Sequence, residues 1–150
     1  MFKTKVNSRI AEMFLFDVFV AILKIEDTAK DYTNVQELLF NYRDWDSIIR
    51  EFEIIGEAVK HLINNNLIEK EYQIVVDLRN YINHNYFGIS PERIWDIIYN
   101  GDLEELLNII TVKIDKIDKK LKEEMIDSFS SDNSYLTFIV DRLNNLKAKP

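Results

Sequence analysis

Three glycines and two prolines in 150 residues constrain this chain more than any other feature. Sandwiches and barrels turn often and place glycine and proline at those turns. A chain this poor in both is directed towards an all-α fold. Its length is about one domain's worth, enough to bury a real core. With 47% apolar and 30% charged residues it has a globular composition, not a disordered one. The absence of cysteine removes disulfides and thiolate metal sites, and fits a reducing compartment. A formal charge of −7, from 19 basic and 26 acidic residues, argues against a general nucleic-acid coat protein. A local basic pocket, or one shared between two chains, stays open. Lys3 and Lys5 precede an apolar run from Met13 to Leu23, but Asp17 interrupts it and no small-residue cleavage site follows. The run is also too short to span a bilayer. The expectation is a soluble, cytoplasmic protein without a membrane segment.

Hydrophobic spacing then divides the chain into helices. Ser8 is a candidate N-cap, with Glu12 near the capping-box position, for a first helix carrying Ile10, Phe14, Val18, Ala21, Ile22 and Ile25 on one face. It fades near Asp27 to Asp31. A short helix from about Asn34 to Asn41 follows. A third, starting at Asp44 or Asp46, carries a broad stripe of Trp45, Ile48, Ile49, Phe52, Ile55, Val59, Leu62 and Ile63. Gly56 inside it costs about 1 kcal/mol against alanine, and is tolerable where another helix crosses closely. A fourth helix runs from about Glu69 to Asn85, with Val75, Leu78 and Ile82 facing the core. Gly88 is its candidate stop, and Ser90-Pro91 reads as N-cap and first turn of a fifth helix that breaks at Asn100-Gly101. Asp102 caps a sixth, where Leu103, Leu107, Ile110, Ile114, Ile117 and Leu121 form a heptad seam. That seam fits a long helix packed on its own bundle, or a coiled-coil contact. Ser128 to Ser134 reads as a polar linker before a last amphipathic helix with Tyr135, Phe138, Ile139, Leu143 and Leu146.

The fourth helix holds the chemistry. Arg79, Asn80, His84 and Tyr86 fall within eight residues. At 100° per residue, Arg79 lies at the border of the core face, while Asn80 and His84 point largely away from it. Arg79 and His84 diverge by about 140°, so one helix would struggle to aim both at the same group. Two such helices facing across a two-fold axis would manage it. Arginine grips phosphate through a planar fork of donors, and histidine exchanges protons near neutral pH. Together, with Asn80 in support, they suit metal-independent RNA cleavage, in which the neighbouring 2′-hydroxyl attacks phosphorus. The same residues also fit an ordinary solvated face ending in a histidine. Glu57 and His61, at i and i+4, are a weak candidate for a shared metal, and Glu57 fits better as an acid paired with an arginine. Trp45 and Trp95 read as core. Lys113, Lys116, Lys119, Lys120 and Lys122, interleaved with Asp115 and Asp118, read as a solvated helix face, with RNA contact the alternative.

Arg79-Asn80-x-x-x-His84-x-Tyr86 resembles the Arg-x4-His-x-Tyr motif of HEPN-domain proteins of the HepT type, the toxin partners of minimal nucleotidyltransferase antitoxins. Ile55-Gly56-Glu57-Ala58 and the segment from Phe87 to Trp95 look like the family's flanking segments, and the resemblance covers roughly residues 10 to 115. It implies an all-α, antiparallel HEPN-like bundle of four to five core helices over residues 1–115. Residues 116–150 would then be a C-terminal helical extension packed on the same domain. It further implies a homodimer with Arg79 and His84 of both chains lining a shared cleft that cuts RNA without a cofactor or metal. Tyr86 would be the tyrosine that the cognate nucleotidyltransferase antitoxin modifies with AMP. The reading from another class is a non-catalytic helical binding module that engages a nucleotidyltransferase or nucleotide.

Overall fold

The computed structural model describes residues 9–85 and 88–147. These form helices α1 (Met13–Ala29), α2 (Val35–Phe40), α3 (Tyr42–Asn64), α4 (Gln73–His84), α5 (Pro91–Tyr99), α6 (Asp102–Asp115), α7 (Lys119–Asp132) and α8 (Thr137–Asn145). A single 3-10 turn, Lys70–Tyr72, leads into α4, and the described residues contain no strand. The all-α expectation holds. Ser8, Tyr86 and Phe87 lie outside the described residues, so the proposed first cap and the proposed AMP acceptor have no structural account here.

The bundle is built around α1. The sequence pattern gives this helix one apolar face, but the structure surrounds it. All six residues from Val18 to Leu23 are buried, as are Leu15, Phe16 and Ile25. A helix that is apolar all round belongs in the interior, and α1 lies against α3, α6, α5 and α7. α3 in turn packs along α4. Short polar signals set the boundaries. The Asn34 side chain accepts from the Glu37 N–H (2.9 Å) to start α2, and Ser90 Oγ accepts from the Arg93 N–H (3.3 Å) above Pro91 to start α5. Gly101, at φ +91, makes the left-handed turn between α5 and α6, so this glycine precedes the helix and Asp102 is already inside it.

Several boundaries differ from the sequence pattern. α3 begins at Tyr42, ahead of both candidate aspartates. In α4 the buried positions are Val76, Leu78 and Ile82, with Val75 only half-buried, because α4 lies across α3 at Arg79. α4 ends at His84 without a left-handed glycine, and the Asn85 side chain closes it by donating to the Tyr81 carbonyl (2.9 Å). The heptad seam is not one helix. α6 stops at Asp115, and Asp118 accepts from the Leu121 N–H (3.3 Å) to start α7. Leu103, Leu107, Ile110 and Ile114 are consumed by the chain's own core. The expected linker is mostly helix, since α7 runs through to Asp132. Met125, Ile126 and Phe129 fix it by burying themselves, with the Phe129 ring 5.3 Å from that of Phe16 on α1. α8 lies on α7 through Ile139 and Leu143. The basic run is not uniformly solvated either. Lys122 is buried with its ammonium 3.8 Å from Asp115. Lys113 donates to Glu69 (2.6 Å), and that hydrogen bond holds the Glu69 carboxyl below its ordinary value.

Candidate functional site

The glycine in α3 marks where the site is assembled. A Cβ at Gly56 would stand 2.1 Å from the Arg79 Cβ and 2.7 Å from its Cγ. Only a residue without a side chain lets α4 approach this closely, which is the close crossing that Gly56 suggested. The stem of Arg79 is therefore packed into the helix crossing. The sequence reading placed Arg79 at the border of the core face, and the structure leaves it half-buried there.

From that crossing the guanidinium emerges beside the next residue of α3. Arg79 Nη2 lies 3.2 Å from Glu57 Oε2, and Nη1 donates to Asn80 Oδ1 at 3.2 Å. The arginine partner expected for Glu57 is thus Arg79. Glu57 Oε2 is shut off from solvent and makes no aligned hydrogen bond, so the contact is an ion pair with unspent acceptor capacity. One turn on, His61 Nε2 stands 3.4 Å from Glu57 Oε1. The His61 ring stacks on Phe14 of α1, with centroids 4.4 Å apart and planes 10° apart. Arg79 is thus held at the end of a line running Phe14, His61, Glu57 across α1, α3 and α4. Glu57 and His61 do meet, as their spacing suggested, but among the described residues no third His, Cys, Asp or Glu joins them. Arg79 and Glu57 also line a pocket of about 260 Å³ whose other walls include Arg9, Phe14, Asp17, Arg50 and Glu53. Sequence reasoning missed this pocket, because its members come from three separate stretches.

His84 is placed differently. It is the last residue of α4 and exposed, and its side chain has no hydrogen bond or ion pair with any described residue. Asn80 is likewise exposed. His84 is not among the residues that line the pocket beside Arg79. Tyr81, by contrast, is half-buried. Its hydroxyl accepts from the Ser90 N–H (3.0 Å) and the Arg93 guanidinium lies 4.5 Å from its ring centre, which ties the end of α4 to the start of α5.

A second, larger concavity of about 750 Å³ lies between α4, α5 and α6. Phe52, Val75, Leu78 and Leu106 contribute apolar lining, and Glu71, Glu92, Asp96, Asp102 and Glu105 outnumber Arg93 among its charges. Among the described residues no helix is long and apolar enough to cross a membrane.

Residues 19–113 match the protein family described as Ribonuclease HepT-like. A Methanocaldococcus jannaschii protein named "Putative RNase MJ0127" is 38% identical over 104 residues, covering 65% of this chain and 84% of that protein. A second from the same organism, named "Putative RNase MJ1380", is 33% identical over 96 residues, covering 61% and 86%. No solved structure matches. With well over half of its length inside the family's match, and with Arg79, His84 and the Gly56 crossing all within it, this chain belongs to the HepT-like ribonuclease family.

Proposed function

We propose that the chain is the toxin of a toxin–antitoxin pair. It acts as a homodimeric, metal-independent endoribonuclease in the cytoplasm. It is silenced when a cognate minimal nucleotidyltransferase transfers AMP to Tyr86. The observation that carries this reading is the contrast on α4: a guanidinium fixed at a pocket by Glu57, and five residues later an exposed imidazole with no hydrogen bond or ion pair to any described residue.

In this reading the guanidinium of Arg79 neutralises the non-bridging oxygens of the scissile phosphate as charge builds on them. An imidazole removes the proton from the neighbouring 2′-hydroxyl, whose oxygen attacks phosphorus. The 5′-oxygen departs with a proton and a 2′,3′-cyclic phosphate remains. Because Arg79 and His84 diverge on one helix, the complete site takes Arg79 from one chain and His84 from its dimer partner. Asn80, hydrogen-bonded to Arg79, supports the orientation of the guanidinium. For silencing, the Tyr86 phenol oxygen attacks the α-phosphorus of ATP held by the antitoxin, and pyrophosphate leaves. The added phosphate and bulk, two residues after His84, repel RNA from the cleft.

The test is RNA cleavage by purified protein in EDTA, followed by incubation with the cognate nucleotidyltransferase and ATP. Cleavage persists in chelator, is lost in His84→Ala, and falls as mass spectrometry shows AMP on Tyr86. Activity that vanishes with EDTA, or AMP on Tyr81 or Tyr72, contradicts the corresponding part. A second reading, a binding module without catalysis, is favoured by the net charge of −7 and the acid-rimmed groove between α4 and α6. It predicts that His84→Ala leaves function untouched.

A further inference from the structure

The pocket beside Arg79 is not a basic pocket. It is lined by three arginines, Arg9, Arg50 and Arg79, and by three carboxylates, Asp17, Glu53 and Glu57. Phosphate entering it would meet as much negative charge as positive, so the balance disfavours a second phosphate site. A lining that holds both donors and acceptors suits instead the edge of a nucleobase.

The three acid–arginine pairs are not equally engaged. Arg9 and Asp17 form a closed two-pronged pair, at 2.5 and 3.2 Å. Arg9 also lies over Phe14, 4.9 Å from the ring centre, and His61 stacks on the same ring, so Phe14 is already engaged. Arg79 and Glu57 hold each other at the helix crossing. Arg50 and Glu53, one turn apart on α3, are the loose pair, with 3.9 Å between Nη1 and Oε2. Neither makes a hydrogen bond with any described residue at that distance. Their donors and acceptors stay available, above an apolar wall supplied by Ile54 and Ala58.

We infer that this pocket is a base-reading subsite for guanine, with Arg50 and Glu53 as the specificity residues. The inference rests on the ribonuclease reading, in which Arg79 holds the scissile phosphate and the pocket receives the adjoining nucleotide. Guanine is the RNA base that presents two adjacent N–H donors, N1 and N2, to one carboxylate. Its O6 and N7 acceptors match an arginine fork. Cytosine and adenine each offer a carboxylate a single exocyclic amine, and uracil offers only N3–H. Charge balance thus selects a base over a phosphate, and the two-donor edge selects guanine among bases.

The experiment uses the full-length protein and single-stranded RNA oligonucleotides that differ at one position beside the mapped cleavage site. Guanine there should raise kcat/KM about tenfold or more over adenine, cytosine or uracil. Inosine, which lacks the N2 amine, should fall between. Glu53→Gln and Arg50→Ala should each reduce the guanine preference to about twofold or less, with cleavage of the other substrates unchanged. Arg50 is exposed and Glu53 half-buried on α3, so a thermal melt should confirm an intact fold. In parallel, fluorescence anisotropy on His84→Ala should show guanine-containing tetranucleotides binding more tightly than adenine-containing ones, an advantage that the added Glu53→Gln removes. Equal affinity for all four bases, or a guanine preference that survives both pocket substitutions, overturns the subsite. Absence of any RNA cleavage overturns the ribonuclease reading instead, and the binding comparison then still decides the pocket.

Discussion

Arg79 and His84 share one helix and live in opposite surroundings. Arg79 is clamped: its stem fills the space left by Gly56, and its guanidinium is faced by Glu57 and Asn80. His84 is exposed at the helix end with no described partner. A side chain built into a packed crossing cannot be removed without disturbing the fold. An exposed side chain without a hydrogen bond or ion pair to any described residue contributes little to stability. The comparison makes the two positions respond differently to the same substitution.

The largest expected effect follows at His84. His84→Ala should lower RNA cleavage by about 10²- to 10⁴-fold, the usual contribution of a positioned acid–base group. Stability should stay within about 0.5 kcal/mol, as for a surface site. Arg79→Ala should lose activity and also lower the melting temperature, because packing at the crossing goes with it. Kinetics and thermal melts on the two variants give the contrast directly, and equal melting temperatures would break it.

Next comes the crossing itself. In Gly56→Ala the new methyl meets the Arg79 Cβ, which belongs to the packed root of the side chain and cannot swing away. Overpacking of this kind costs about 1–3 kcal/mol. Adding Arg79→Gly removes the clashing carbon, so the double variant should be more stable than the sum of the two single changes predicts. A denaturant double-mutant cycle measures that coupling. Strict additivity would mean that the helices do not meet there.

The smallest effect belongs to Glu57→Gln, which keeps the shape and removes the charge opposite Arg79. A net change of about 1 kcal/mol, or roughly fivefold in kcat/KM, is expected, carried mainly by KM because the phosphate grip loosens. His61→Ala should follow in the same direction and less strongly. An unchanged KM in Glu57→Gln would show that the ion pair does not set the guanidinium.

Much of this arrangement is legible in the sequence, and the exceptions have physical causes. The scarcity of glycine and proline gives the all-α class, and the glycine inside an apolar helical stripe gives the crossing. Spacing along α4 is enough to separate Arg79 from His84. It does not reveal that Glu57, 22 positions earlier, is the partner of Arg79, because that depends on how α3 and α4 lie against each other. Nor does it bring Arg9, Arg50 and Glu53 to one pocket. α1 looks one-faced because moment arguments assume a water side, which a central helix lacks. The serines around residue 130 look like a linker because propensity is weak, and burial of Ile126 and Phe129 overrides it. The seam from Leu103 to Leu121 breaks because Asp118 can cap a new helix, a local choice that a heptad count does not register.

The central claim is that a complete site needs Arg79 from one chain and His84 from another. The direct measurement is complementation between Arg79→Ala and His84→Ala chains, each inactive alone. They are mixed in equal amounts under conditions that exchange subunits, with native mass spectrometry to count mixed dimers. If half the dimers are mixed and each holds one intact site of two, cleavage should return to about a quarter of the wild-type rate. Mixed dimers that form and cut no RNA, or wild-type activity that resides in a single 17.8 kDa chain, would contradict the account.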